Sequence, residues 1–194
     1  MPDTQKKSKK AIILETAARL FRDKGYPATS MRDLAEAVNL KASSLYNHIS
    51  SKDELLREIC FQNAQRYLSS MEQVERMEAD AAQKVEKLLK LHIRTAMEDA
   101  TSVTAFNDEW RHLNEPYLSE FKALRKDYEE RFRRILQMGM ASGEFRLMDE
   151  SIALYTIFSS VRWLYDWFAP GKPMTADEVE AEVIAFVMAG LLHR

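Results

Sequence analysis

The chain contains little cysteine, glycine and proline. Among its 194 residues there are one cysteine, five glycines and five prolines. The lone Cys60 cannot form an internal disulfide or a thiolate metal site, and a single thiol is typical of a reducing compartment. Because few glycines and prolines remain for hairpin turns and phosphate-binding loops, the composition favours helices over sheets.

The chain also lacks long apolar runs. The best candidate for a membrane span, Ile152–Phe168, contains Arg162 and Asp166, whereas a spanning helix needs roughly 18 uninterrupted apolar residues. Near the start, the basic residues precede an apolar stretch that Glu15 and Arg19 interrupt, which is unlike a secretory signal. We therefore expect a soluble, cytoplasmic protein with no membrane partner.

Sequence motifs of catalysis are absent. The sequence has no HExxH motif, no glycine-rich phosphate loop and no nucleophile elbow. Glu109 and His112 form one Glu-x-x-His pair next to Asp108, but a di-iron helical bundle uses two such pairs. We therefore predict no enzyme activity, no metal and no cofactor, with a metal-bound regulator as an alternative.

Charge is distributed unevenly along the chain. Residues 1–52 hold seven lysines and three arginines against three aspartates and two glutamates. This segment carries a net charge of +5, whereas the remainder carries −7 and the whole chain −2. A basic module on an acidic body suggests a polyanionic partner for the first part alone.

Helical periodicity and capping residues divide the first part of the chain into short helices. Gly25 is a C-cap signal for the first helix, and Thr29 or Ser30 caps the second. Asn39 suits the left-handed backbone of a sharp turn. The first four predicted helices cover residues 8–24, 30–38, 42–49 and 52–77.

The rest of the chain continues as helix after helix, so the predicted fold class is all-α. The loop at residues 169–173 contains two prolines and is the clearest breaker in the sequence, so the last two helices are expected to form an antiparallel pair. The five further predicted helices cover residues 79–97, 102–113, 117–141, 149–168 and 175–192.

The second and third helices have the dimensions of a helix-turn-helix, whose second helix enters a DNA major groove. The polar face of the third helix contains serine, tyrosine, asparagine and histidine without an acidic residue, which indicates phosphate and base-edge contacts. Lys52 begins the fourth helix, where free amides also attract phosphate. The predicted contacts of double-stranded DNA are Thr29, Lys41, Ala42, Ser43, Ser44, Tyr46, Asn47, His48 and Lys52.

Residues 13–56, ILETAARLFRDKGYPATSMRDLAEAVNLKASSLYNHISSKDELL, resemble the TetR family of bacterial transcriptional repressors. Departures from the family pattern are Asn39 in place of glycine, Lys41 in place of a capping serine, and Ile49 in place of an aromatic residue. Matching positions are Ala17, Leu20, Phe21, Gly25, Tyr26, Thr29, Ala35, Leu45, Tyr46, Ser51, Lys52, Leu55 and Leu56.

The resemblance implies an N-terminal three-helix DNA-binding head and a helical body that binds a ligand and forms a dimer. The expected domains are residues 1–51 and 52–194, linked by the fourth helix. The resemblance further implies a homodimer that leaves its operator DNA when a small-molecule effector binds. A helical adaptor that binds protein rather than DNA is the alternative, and an activator stays possible.

Aromatic and methionine side chains are concentrated in the middle helices, as expected of a mostly apolar ligand site. Residues 109–145 and 163–179 are similar to TetR regulators that respond to acyl-CoA thioesters. This similarity implies an acyl-CoA effector, with a different apolar ligand as the alternative. The predicted ligand-binding residues are Met97, Phe106, Trp110, Arg111, Tyr117, Phe121, Arg125, Tyr128, Phe132 and Trp163.

The two last helices carry apolar residues on more than one face, so they need a partner surface. Pairing across a twofold axis would form a four-helix interface, which a palindromic operator also requires. The predicted dimerisation residues are Ile152, Tyr155, Phe158, Val183, Phe186 and Val187.

Overall fold

The computed structural model describes residues 8–168 and 173–193. It is 78% helical, and no strand occurs in those two ranges, which confirms the all-α prediction. Two compact units are present. The head unit comprises Met1–Asn63 and Thr101–Phe121, and the body unit comprises Ala64–Ala100 and Lys122–Arg194. The predicted boundary at residue 51 therefore lies inside the head unit.

Capping residues mark the boundaries of the first two helices of the head unit. The hydroxyl of Ser8 accepts a hydrogen bond from the amide of Ala11, and Gly25 follows the first helix with a φ of 83°. Ser30 and Asp33 form a reciprocal capping box. Four helices begin in this unit: α1 (Lys9–Lys24), α2 (Met31–Ala37), α3 (Ala42–Tyr46) and α4 (Lys52–Glu75).

The third helix is shorter than predicted. The sequence predicts a helix to residue 49, but α3 ends at Tyr46. Lys41 stands at its N-cap and makes no side-chain hydrogen bond to the first turn. Asn39 has a φ of 53°, which confirms the left-handed turn. Buried Leu45 and Ile49 hold this segment against the head.

Two long predicted helices are broken. The segment predicted at 102–113 contains a single α-helical turn followed by a π-helix and a 3-10 helix. The helix predicted at 149–168 is interrupted at Trp163. The remaining elements are α5 (Ala81–Glu98), α6 (Ala100–Thr104), π (Ala105–Glu109), 3-10 (Trp110–His112), α7 (Tyr117–Ser142), α8 (Glu150–Arg162), α9 (Leu164–Trp167) and α10 (Ala176–Leu191).

In the body unit, α10 contacts both α5 and α8. The predicted turn at residues 169–173 lies almost entirely outside the described residues. No helix in the described ranges has the length and apolar character needed to cross a membrane.

The end of α7 packs closely against the segment that follows it. Phe145 is 1% exposed, and its ring lies so near Gly139 that a Cβ at position 139 would overlap it. The amide of Phe145 donates to the carbonyl of Gly139 at 3.0 Å. A bridge between Phe145 and Leu192 then joins this segment to the chain that follows α10.

Candidate DNA interface and effector site

The short α3 presents a polar surface to solvent. Tyr46 is 54% exposed, and Asn47 and His48 are also exposed. Leu45 and Ile49 point the other way, at 0% and 1% exposure. Of the remaining predicted contacts on this segment, Lys41, Ala42 and Ser43 are exposed and Ser44 is half-buried. The surface therefore offers hydroxyl, amide and imidazole groups without a carboxylate.

Thr29 is placed differently from the prediction. Its side chain is only 1% exposed. The hydroxyl donates to the carbonyl of Gly25 at 2.9 Å and lies 3.3 Å from the carbonyl of Leu20. Because this hydroxyl is buried and already bonded, Thr29 ties the loop to the end of α1.

Lys52 also has a structural role that the sequence does not reveal. Its Nζ donates to the backbone carbonyls of Tyr26 and Thr29, both at 2.8 Å. The same ammonium lies 4.3 Å from the centroid of the Tyr26 ring, within cation–π distance. These contacts tether α4 to the loop that follows α1, and the phosphate contact of Lys52 stays a prediction.

Tyr26 is the centre of this network. It is 7% exposed, its hydroxyl donates to Asp53 at 2.8 Å, and its ring stacks on His112 with centroids 5.3 Å apart. Asn114 donates to the same Asp53 oxygen at 3.0 Å. Burial, reinforced by Asp53, raises the pKa of Tyr26 well above its usual range.

The segment that carries His112 and Asn114 thus belongs to the head. The sequence predicts a link between body and head through the fourth helix alone. The resemblance to the family identifies Tyr26 as a matching position. Helical periodicity does not predict its contact with His112, which lies 86 positions later in the chain.

The predicted ligand-binding residues separate into two groups. In the head unit, Phe106 and Trp110 pack on buried Phe121, with ring centroids 5.4 and 5.8 Å apart. Phe61 contacts Phe121 and Tyr117. Arg111 lies over the ring of Trp110. These side chains form the head aromatic cluster: Phe61, Phe106, Trp110, Tyr117 and Phe121.

A second aromatic group lies in the body unit. The sequence predicted Tyr128 and Phe132, which are 7% and 0% exposed, but not Tyr67 or His92. Phe158, predicted at a dimer interface, contacts His92, Tyr128 and Phe132. These side chains form the body aromatic cluster: Tyr67, His92, Tyr128, Phe132 and Phe158.

The other predicted ligand residues lie outside both clusters. Met97 and Arg125 are half-buried. Trp163 is 43% exposed and packs on Trp167 with ring centroids 5.1 Å apart. The aromatic spacing therefore locates the two clusters but not every member.

His92 is the titratable group of the body cluster. Its Nε2 lies 2.8 Å from the hydroxyl of Tyr128, and its ring stacks on Tyr67 with centroids 4.7 Å apart. Burial lowers the pKa of His92 from 6.5 to about 4, because the charged imidazolium loses its hydration. His92 is therefore neutral at physiological pH.

The lowered pKa of His92 predicts acid-sensitive stability. Between pH 6.5 and 4 the unfolded chain binds a proton at this position that the folded chain does not, so stability falls as the pH falls. The pKa values predict that the free energy of unfolding decreases by about 2 kcal/mol from pH 7 to 5. Urea denaturation at both pH values measures the loss. The loss is expected to shrink in His92→Phe, and an equal loss in both proteins would contradict the assignment.

The predicted dimerisation residues are unequally exposed. Ile152, Tyr155 and Phe186 are 70%, 50% and 82% exposed, which is the exposure expected of interface residues in an isolated chain. Val183 is half-buried and Val187 is 8% exposed, so Val187 and Phe158 contribute more to the body interior. The exposed members define the α8–α10 apolar face: Ile152, Tyr155 and Phe186.

No group of three or more metal-ligating side chains occurs within the described ranges. Glu109 and His112 do meet, with His112 Nε2 3.4 Å from a Glu109 carboxylate oxygen. The pair offers one carboxylate and one imidazole, which is fewer than three metal-ligating side chains.

Known proteins resemble this chain over nearly its whole length. The repressor KstR2 of Mycolicibacterium smegmatis is 26% identical, and the match covers 98% of this chain and 95% of that protein. The structure of KstR2 of Mycobacterium tuberculosis, a ketosteroid transcriptional regulator, has a TM-score of 0.90 at 24% identity, with 98% of each chain covered. AibR, solved in complex with isovaleryl coenzyme A and operator DNA, has a TM-score of 0.80 at 24% identity, covering 92% of this chain and 97% of AibR.

Two family matches cover both parts of the chain. Residues 13–59 match the family described as "Bacterial regulatory proteins, tetR family". Residues 78–191, more than half of the chain, match "Tetracyclin repressor-like, C-terminal domain". The first match contains α3 with its exposed polar face, and the second contains four of the five members of the body aromatic cluster, all except Tyr67. The chain therefore belongs to the TetR family of transcriptional regulators.

Proposed function

We propose that this protein is a transcriptional repressor that binds operator DNA through α3 and releases it when a small-molecule effector binds. The exposed face of α3 carries the proposal, because Tyr46, Asn47 and His48 present hydrogen-bonding groups with no carboxylate to repel phosphate. Serine and tyrosine hydroxyls reach phosphate oxygens, and asparagine pairs with adenine in the major groove. The proposed contacts are Lys41, Ala42, Ser43, Ser44, Tyr46, Asn47 and His48.

The effector is proposed to be an acyl-CoA thioester. AibR, described with isovaleryl coenzyme A and operator DNA, supports this class. Within this chain, the two aromatic clusters offer the apolar surface that an acyl group requires. A different apolar ligand is the second candidate, and it is favoured by the same clusters.

We further propose a homodimer that uses the α8–α10 apolar face. Phe186 at 82% and Ile152 at 70% exposure would leave isolated apolar surface in water, and burial of such side chains stabilises association. A twofold axis would also present two α3 helices to two operator half-sites about 34 Å apart.

The effector is proposed to act by shifting an equilibrium between DNA-binding and non-binding forms, with a coupling free energy of about 1 to 3 kcal/mol. Two routes reach the head. One is α4, which contributes Lys52, and the other is the segment of His112 and Asn114, which contacts Tyr26 and Asp53. A displacement of either segment would change how α3 is held.

A fluorescence-anisotropy titration against the DNA upstream of its own coding region tests the proposed function. We expect tight binding that weakens with salt and is relieved by a mixture of acyl-CoA thioesters. Binding without relief would retain the repressor and discard the effector class. No binding to that DNA, or to any sequence in a random-sequence selection, would favour the protein-binding adaptor.

Asn47→Ala is expected to change which operator sequences are preferred. Asn47 is exposed, so its loss leaves the fold intact, while removal of a base contact costs about 1 to 3 kcal/mol at one position. The matched control is Lys41→Ala, which removes an exposed charge. That control is expected to weaken all sequences equally and to reduce the salt slope by about 1. Selection from a random DNA library measures both, and an unchanged preference in Asn47→Ala would contradict the base contact.

Phe186→Asp is expected to convert the dimer to a monomer. A buried phenylalanine contributes about 1.5 to 3 kcal/mol, a twofold interface contains it twice, and the new carboxylate would have to lose its hydration. Sedimentation equilibrium gives the mass. Ile12→Asp, at an exposed apolar position on α1, is the control and is expected to leave the dimer intact. An unchanged dimer in Phe186→Asp would place the interface elsewhere.

A further inference from the structure

A surface cleft lies between two helices of the body unit. One face of α4 between Ser70 and Met77 and one face of α5 between Lys87 and Arg94 form its walls, and Glu180 of α10 lines it as well. The cleft has a volume of about 550 Å³, which falls within the range of about 300 to 1,000 Å³ typical of small-molecule sites. None of these lining residues belongs to either aromatic cluster or to the α8–α10 apolar face, so the cleft offers a place for a second ligand.

The buried part of the cleft lining is apolar. Val74 and Leu88 are 2% and 0% exposed, and Leu91 is half-buried. The lining residues of α4 extend from position 70 to position 77, which is about 10 Å of helix at a rise of about 1.5 Å per residue. This length suits a short aliphatic chain, because the apolar wall would remove the chain from water.

The exposed edge of the cleft is cationic. Lys87 and Lys90 are both exposed, and their spacing of three positions places them on the same side of α5. Lys87 makes no ion pair with any of the described residues, and Lys90 Nζ lies 3.9 Å from a carboxylate oxygen of Glu180. Arg94 is the third cation of the lining, and Glu180 is its single carboxylate. The cleft is therefore complementary to an anion that carries an apolar chain.

The walls of the cleft are tied to each other and to α10. Arg94 donates to Glu180 and Asp177 of α10, so its charge is balanced within the protein. At the junction of α4 and α5, Lys84 Nζ donates to the carbonyl of Glu75 at 3.4 Å. Walls that are fixed before a ligand arrives lower the entropic cost of binding, and the two exposed lysines are the cations that a ligand can reach.

We propose that this cleft binds a small amphipathic anion, a short aliphatic chain that ends in a phosphate. The chain lies against Val74, Leu88 and Leu91, and the phosphate lies at Lys87 and Lys90. A phosphate group carries about 1.5 to 2 negative charges at neutral pH, and lysine ammonium groups bind phosphate as point charges. The site does not rest on the proposed function, because neither the operator nor the aromatic clusters take part in it.

Isothermal titration calorimetry of the full-length protein at pH 7 tests the proposal with three probes. Octyl phosphate, used below its critical micelle concentration, carries both parts of the ligand, whereas octan-1-ol lacks the phosphate and inorganic phosphate lacks the chain. We expect octyl phosphate to bind at least about tenfold more tightly than either of the other two. Its affinity is expected to fall as the salt concentration rises.

Nuclear magnetic resonance of protein with carbon-13 labelled methionine methyl groups locates the site. Met77 lines the cleft and is 37% exposed, and its signal is identified by its loss in Met77→Gln. Octyl phosphate is expected to shift this signal.

Two sets of variants separate recognition from folding. Met77→Glu and Met77→Gln are matched in size, but only the first brings a carboxylate into the cleft. We expect Met77→Gln to retain the affinity for octyl phosphate and Met77→Glu to lose at least about tenfold. Lys87→Gln/Lys90→Gln is expected to lose about as much, while Lys122→Gln, at an exposed position of α7, is the control and is expected to bind as the wild type does.

Three results would overturn the proposal. The first is binding of octan-1-ol or inorganic phosphate that is as tight as that of octyl phosphate, or no binding of octyl phosphate. The second is equal affinity of Met77→Glu and Met77→Gln for octyl phosphate. The third is binding of octyl phosphate without a shift of the Met77 signal. Absence of operator binding would bear on the proposed function alone, because these titrations contain no DNA.

Discussion

Lys52→Met is expected to lower the free energy of unfolding by about 2 to 4 kcal/mol. The variant keeps the apolar stem but removes the ammonium that donates to the carbonyls of Tyr26 and Thr29, both at 2.8 Å. Hydrogen bonds from a charged donor contribute more than neutral ones, and their loss leaves two acceptors unpaired. The cation–π contact with Tyr26 is lost as well.

Urea denaturation measures the total loss in Lys52→Met, and hydrogen exchange locates it. Protection is expected to fall at residues 26–29, where the tether ends. Lys41→Met is the matched control, because Lys41 is exposed and its side chain makes no cap for α3. Unchanged stability together with a salt slope reduced by about 1 would restore Lys52 as a phosphate contact.

Gly139→Ala is expected to destabilise the body unit by about 1 to 3 kcal/mol or more. The added methyl group would overlap the ring of Phe145, which is 1% exposed and has no room to retreat without disturbing the core. The bridge between Phe145 and Leu192 is expected to weaken in the same variant. Thermal and urea denaturation give the magnitude.

Gly190→Ala is the matched control for Gly139→Ala. Both glycines lie inside helices, but nothing lies within 4 Å of a Cβ at position 190. Alanine is the better helix former by up to about 1 kcal/mol, so this control is expected to be unchanged or slightly more stable. Truncation of the ring in Gly139→Ala/Phe145→Leu is expected to recover part of the loss. A single variant as stable as wild type would show that the ring moves freely.

Local signals in the sequence predicted most of the head. The glycine after α1, the capping box of Ser30 and Asp33, and the left-handed Asn39 each act within a few residues, so spacing alone reveals them. The exposed face of α3 follows from the same periodicity. Lys52 and Thr29 are predicted as DNA contacts because they lie next to the helix-turn-helix in the sequence. Their partners in the structure are backbone carbonyls, which sequence patterns do not reveal.

The candidate effector site was less accessible to sequence reasoning. Tyr128 and Phe132 were identified as aromatic residues at helical spacing, but Tyr67 and His92 lie on other helices and only the fold brings them together. Phe158 has the apolar pattern of a dimer contact, and within the chain it packs on His92, Tyr128 and Phe132. Periodicity shows that a side chain is buried, and contacts between distant segments decide what it is buried against.

The brevity of α3 gives DNA binding a thermal signature. A helix of five residues without a side-chain cap has few internal hydrogen bonds, so its order depends on the burial of Leu45 and Ile49. Fixing one residue of backbone costs about 1 to 2 kcal/mol in entropy, and contacts with phosphate and bases would supply the missing restraint. Under the proposed function, operator binding would be coupled to completion of the helix, and calorimetry is expected to record a favourable enthalpy opposed by ordering entropy. Warming would weaken the complex before it unfolds the protein.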